Sequence, residues 1–211
     1  MFSILNEAID LFWKTRYSGL NTKQEGFEQS QKRIDDLRTL VRNKKYTTEI
    51  INNNPKYIVE LPEDYTILLG DTAGISPADG IVNDCWKKDS DNNYIVKNVD
   101  TLESTIETID RQLSNSLSEH KLKHCYARPL KLIQGNNIVL YTDGNYKVAE
   151  YNLVYLSKPK GIFTNDDLSQ EYTELPSHTH MEIVKLAVRL YAANKPTQNY
   201  NLLAQETQVM E

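Results

Sequence analysis

Apolar residues recur at three- and four-residue spacing at Phe2, Leu5, Ile9, Phe12 and Trp13, which predicts an amphipathic helix of three turns ending near Gly19. A second stripe, Phe27, Ile34, Leu37 and Val41, runs opposite Glu28, Lys32, Asp35 and Arg38. Two such helices in succession make a helical hairpin over residues 1–45. The pattern then changes period. Tyr57 to Leu61 and Tyr65 to Leu69 are rich in β-branched and aromatic residues and flank Pro62-Glu63-Asp64, so both read as strands. Glycine, aspartate, asparagine and proline dominate residues 70–98, the composition of a long loop or insertion.

Leu102, Ile106, Ile109, Leu113 and Leu117 return to helical spacing, with Thr101 or Asp100 as a cap. Three β-rich runs follow: Pro129 to Ile133, Ile138 to Tyr141, and Tyr146 through Leu156. The turns between them, Gly135-Asn136-Asn137 and Asp143-Gly144-Asn145, are hairpin signals, so an antiparallel meander is expected. A last helix spans Thr179 to Asn194, with Ser177 or a Thr179/Glu182 capping box at its start. Ile183, Val184, Leu186, Ala187, Val188, Leu190 and Tyr191 cover most of its circumference, which predicts burial on nearly every side. Residues 195–211 form a C-terminal arm that opens with Pro196 and carries Tyr200, Leu202, Leu203, Val209 and Met210. The fold class is α+β: an N-terminal helical hairpin, an antiparallel β-sheet with hairpins and a buried C-terminal helix, in one domain over residues 1–211.

Composition narrows the function. A formal net charge of −5 over 211 residues, with the two signs interspersed, offers no basic stripe for nucleic acid. The sequence has no apolar run of membrane-spanning length, and its first residues lack the basic start of a secretory signal. Cys85 and Cys125 are widely separated and form no paired motif, which suggests reduced thiols in a reducing compartment. Thirteen tyrosines favour half-exposed sheet surfaces and interfaces.

Four clusters invite a chemical reading. Asp71-Thr72-Ala73-Gly74 after a strand is similar to the metal-side switch of small GTPases, but no phosphate-cradling GxxxxGK[ST] loop accompanies it, and a glycine-rich turn is the simpler reading. Asp89 to Asn93 offers oxygens at alternate positions as a calcium loop does, yet Tyr94 stands where glycine is required. His120, His124 and Cys125 near the end of the expected third helix, with Cys85 upstream, are of types that zinc accepts, against histidines merely well placed at a helix C-terminus. His178, His180 and Glu182 could form an acid–base or metal group, against histidines that satisfy loop carbonyls. No nucleophile elbow or dinucleotide fingerprint is present. The expectation is no enzyme, with no catalytic residue, cofactor or bound metal.

A set of packing motifs carries a resemblance. Leu61-Pro62-Glu63-Asp64-Tyr65, Arg128-Pro129, Ile138 to Asp143, Tyr155 to Lys160 and Glu174 to Leu190, in this order and spacing, resemble the virion structural proteins of crAss-like tailed bacteriophages that infect gut Bacteroidales. They are similar in particular to the ring proteins of the head-to-tail neck. The resemblance covers about Leu61 to Tyr191. It implies a connector subunit in a homo-oligomeric ring, a dodecamer, stacked below the portal beside other neck or tail rings. Viral DNA would pass through the lumen without sequence-specific binding, and no membrane would be involved. The protein would be assembled in the host bacterial cytoplasm and reside in the virion. Phe2 and Leu5 at one end and Tyr200, Leu202, Leu203, Val209 and Met210 at the other are the expected oligomer interface, because apolar side chains on chain ends are often covered by a neighbouring subunit. The alternatives are a phage-encoded binding or assembly factor that stays out of the virion and, further off, a metal-dependent enzyme built on the histidine groups.

Overall fold

The computed structural model describes residues 2–18, 27–81, 86–123, 125–162 and 174–193. In chain order the elements are α1 (Phe2–Ser18), α2 (Phe27–Leu37), a 3₁₀ turn at Arg38–Leu40, β1 (Val41–Tyr46), β2 (Ile51–Asn53), β3 (Lys56–Glu60), β4 (Tyr65–Pro77), β5 (Lys97–Asp100), β6 (Leu102–Glu103), α3 (Ile109–Ser114), β7 (Leu130–Gln134), β8 (Asn137–Tyr141), β9 (Tyr146–Ser157), a 3₁₀ turn at Ser177–Thr179 and α4 (His180–Ala193). The fold is α+β, as the alternation of periods predicts. The chain divides into two compact units, residues 1–41 with 157–211, and residues 42–156.

The first unit is helical. Ala8, Ile9, Phe12 and Trp13 form the buried face of α1, one step further along the predicted stripe than Phe2 and Leu5, which are half-buried. Covering Phe12 and Trp13 contributes roughly 1.5–3 kcal/mol each or somewhat more. α1 packs on both α4 and α2. Asn6 clasps the strand exit, donating to the Ile162 carbonyl at 2.9 Å and accepting the Ile162 N–H at 2.8 Å. The second predicted stripe is rotated in fact: Ile34 is 72% exposed, while Asp36, Leu37 and Leu40 face inward. Residues 41–45, expected in the hairpin, belong to β1.

The second unit holds two sheets, β1-β9-β4-β5 and β2-β3-β8-β7-β6. β3 pairs antiparallel with β8, and β7 with β8; β6 runs parallel to β7. Tyr46, Ile75, Tyr151 and Leu153 from the first sheet and Tyr57, Val59, Ile138 and Leu140 from the second belong to one buried cluster. β3 buries Tyr57 and Val59 and turns their neighbours outward, the period-2 signature of a half-covered strand. Along β9 the buried set shifts phase, from Tyr146 and Val148 to Tyr151, Leu153 and Tyr155. Ala149 and Glu150, both half-buried, stand where the phase changes. The meander is therefore only half right: β7 and β8 form the hairpin, with Gly135 at φ 59°, but β9 leaves for the other sheet after a turn with Gly144 at φ 85°.

Two further expectations are corrected. Residues 70–77 are not loop but the second half of β4, and β5 begins at Lys97. Gly74 is there for closeness and not for a turn: a Cβ would lie 2.7 Å from Val96 Cγ1 and 3.0 Å from the Glu150 Cβ. The third helix shrinks to Ile109–Ser114. The residues before it are drawn into sheet contacts, Leu102 N–H to the Pro129 carbonyl and Ser104 N–H to the Lys131 carbonyl, both at 2.9 Å. The hydroxyls of Thr105 and Thr108, 2.9 Å apart, then hold a turn, a local competitor of helix. Ile106 and Leu117, expected on its buried face, are 69% and 79% exposed.

Candidate assembly surface

α4 departs most from expectation, and it is where the candidate function lies. Of its side chains only Ile183 and Ala192 are buried. Met181, Val184, Val188 and Tyr191, spaced three, four and three residues apart, form one stripe that is 66%, 47%, 49% and 48% exposed. That spacing is the seam by which helices pack against helices. A helix apolar nearly all round is stable in water only when both faces are covered; within the described residues one is.

The start of α4 is fixed by charge. Asp36 is fully buried on α2, with Arg16 Nε of α1 at 3.1 Å from its Oδ2, close enough for ion pairing though off the hydrogen-bond line. His178 Nε2 meets Asp36 Oδ1 at 2.8 Å. Arg16 also donates to Glu182, and Lys32 reaches the other Glu182 oxygen at 3.0 Å. Burial alone would raise the Glu182 pKa, but the hydrogen bond from Lys32 and the charges of Arg16 and Lys32 outweigh it and hold the carboxyl below its ordinary value. The capping box does not form. Thr179 donates to the Pro176 carbonyl at 2.8 Å, and Glu182 is occupied by the two cations. Three helices are thus pinned at one end of α4, which holds the stripe in a fixed direction.

The remaining sequence candidates are placed as follows. His178 turns to Asp36 and His180 has Nε2 at 3.1 Å from the Leu175 carbonyl, so with Glu182 they point at three different partners and form no acid–base group. His120 is 2% exposed, with Nδ1 at 2.8 Å from Ser118 Oγ, in a turn and not at a helix end. Burial lowers its pKa, and Lys121 adds to the effect. Cys125 is disulfide-bonded, where sequence separation had suggested a free thiol; distance along the chain is no guide to distance in a sheet fold. His124 and Cys85 lie outside the described residues, as do Tyr200, Leu202, Leu203, Val209 and Met210. Asp89 Oδ1 accepts the N–H groups of Asp91 and Asn93 at 3.0 and 2.9 Å, so this carboxylate is used by the loop's own backbone. Among the described residues no group of three or more histidine, cysteine, aspartate or glutamate side chains has metal-binding geometry. Nor is any described helix long and apolar enough to cross a membrane.

Sequence reasoning missed the main buried polar group of the second unit. Asp71 on β4 accepts from Lys131 Nζ at 2.6 Å, from Tyr151 Oη at 2.9 Å and from the Thr101 hydroxyl. The Lys131 and Asp71 side chains are each 6% exposed. Burial and then the Asp71 charge push the Tyr151 phenol far above its ordinary range. An acid in one apolar run and a base in another was the available signal. The tyrosines follow the same logic: Tyr46, Tyr146 and Tyr151 are core residues, with Tyr46 donating to the Glu60 carbonyl and Tyr146 to the His120 carbonyl, each at 2.8 Å. Burial, with Tyr155 beside it, pushes the Tyr46 phenol up to about 12. A hollow of about 550 Å³ beside Lys32, Ile34, Asp35, Arg38 and His178 opens to solvent at the edge of α2.

No protein-family model and no curated protein matches the sequence.

Proposed function

We propose that this chain is a structural subunit of the head-to-tail connector of a tailed bacteriophage, assembling with its own copies into a neck ring below the portal through which DNA passes. The apolar stripe on the outward face of α4 carries the reading. Four large side chains at heptad-like spacing on a helix pinned by ion pairs are costly in water and favourable against a partner. Ring subunits need such a patch, since a cyclic interface joins two different surfaces of each copy. The order of packing motifs from Leu61 to Leu190 supports the phage lineage.

Mass spectrometry and imaging of purified phage particles test the proposal. The expected result is the chain present at a fixed copy number and density for a ring between portal and tail. Absence from particles, with the chain found only in infected-cell lysate, would make it an assembly factor instead.

A further inference from the structure

Among the described residues Lys131 is the only buried lysine, and its ammonium stands 2.6 Å from Asp71 Oδ1. The partners of the carboxylate are divided by oxygen. Lys131 takes Oδ1, while the Tyr151 phenol at 2.9 Å and the Thr101 hydroxyl both donate to Oδ2. With each side chain 6% exposed, both charges have lost their hydration, a cost that one opposite charge seldom offsets in full. The other close lysine pairs differ on this point. Lys147 meets Asp79 at 2.7 Å and Lys45 meets Glu150 at 2.8 Å, but these four side chains are between 29% and 90% exposed, so water holds their charges.

We propose that Lys131 and Asp71 condense within the folded chain to an isopeptide bond. One ammonium proton passes to Oδ1, and the freed Nζ lone pair attacks Cγ. The carbonyl electron pair moves onto Oδ2, where the Tyr151 and Thr101 hydroxyls already stand as donors to the developing oxyanion. A second proton then leaves Nζ for Oδ1, the pair on Oδ2 re-forms the carbonyl, and the Cγ–Oδ1 bond breaks to release water. An ammonium and a carboxylate become one neutral amide and one water, and no other reactant is needed. Two effects favour the step. The fold holds nucleophile and electrophile in contact, which replaces an encounter in solution. The amide also removes two buried charges at once. The bond joins β4 of one sheet to β7 of the other, between residues 60 positions apart, and no thiol reductant opens it. Chains that have not reacted keep the ion pair described above, and the proposal stands apart from the assembly reading.

Intact mass spectrometry of the full chain, sampled over time after synthesis and reduced before measurement, is the test, with circular dichroism to check that the chain is folded. Reduction removes the mass difference due to the Cys125 disulfide. The expected result is a chain one water lighter than its sequence, and a tryptic digest in which cleavage after Lys131 is lost and the peptides holding Asp71 and Lys131 are joined. Lys131→Arg keeps a cation beside Asp71 but offers no amine to condense, so it should retain its full mass. Succinimide formation at Asp79-Gly80 or Asp143-Gly144 also expels water, so the digest decides the position. A folded wild-type chain that keeps its full mass after prolonged incubation overturns the proposal. So does a water loss that maps only to either Asp-Gly pair, or one that is undiminished in Lys131→Arg.

Discussion

Asp71 gathers three polar side chains of the second unit. Its carboxylate takes Lys131, Tyr151 and Thr101 at once, so removing it strands a buried ammonium and two hydroxyls. Asp71→Ala should cost about 3–5 kcal/mol of unfolding free energy by urea denaturation. Replacing both charges with apolar residues of similar size, Asp71→Leu with Lys131→Met, should recover part of that loss, because it removes the stranded ammonium while the Tyr151 and Thr101 hydroxyls still lack their acceptor. His120 gives a pH signature of known sign. Its folded pKa lies below its ordinary 6.5, so the unfolded chain binds the proton more readily. The stability it contributes is complete above that value and is lost as pH falls through it toward the folded pKa. His120→Gln should flatten the slope of unfolding free energy as pH falls below about 6.5, measured as midpoints at a series of pH values. An unchanged slope would place the titration elsewhere.

Among the elements, local signals were legible where packing agreed with them and misleading where it did not. The period-2 runs at Tyr57, Ile138 and Tyr146 named three strands, and the glycines at 135 and 144 named two turns, since a left-handed φ leaves a mark in residue type. The apolar spacing from Leu102 to Leu117 named a helix that is mostly absent, because β7 offered Leu102 and Ser104 backbone partners that a periodicity count cannot see. Gly70 and Gly74 suggested a loop and lie in a strand, Gly74 because Val96 Cγ1 and the Glu150 Cβ crowd it. Gly74→Ala should therefore destabilise by about 1–3 kcal/mol through overpacking, read by thermal denaturation. The α4 periodicity correctly named a helix apolar over most of its circumference, but burial on nearly every side is not what the described residues give: they cover one side, around Ile183 and Ala192. Arg16, Asp36 and Lys32, which aim that helix, left no trace in the sequence, since Glu182 and His178, which they hold, lie more than a hundred residues away.

At the scale of the whole molecule, the proposed ring subunit would use the outward face of α4 as an interface between copies. Substituting it should separate assembly from folding. Met181→Glu with Val188→Glu places charge on positions that are 66% and 49% exposed, so the folded subunit should lose little stability, within about 0.5 kcal/mol, as surface substitutions do. The most direct measurement is the solution mass of the full chain and of this double variant by light scattering after size exclusion. The account predicts a multiple of 24.3 kDa for the full chain and a single 24.3 kDa chain for the variant. A full chain that runs at 24.3 kDa across micromolar concentrations, or a variant whose mass equals that of an oligomeric wild type, would contradict it.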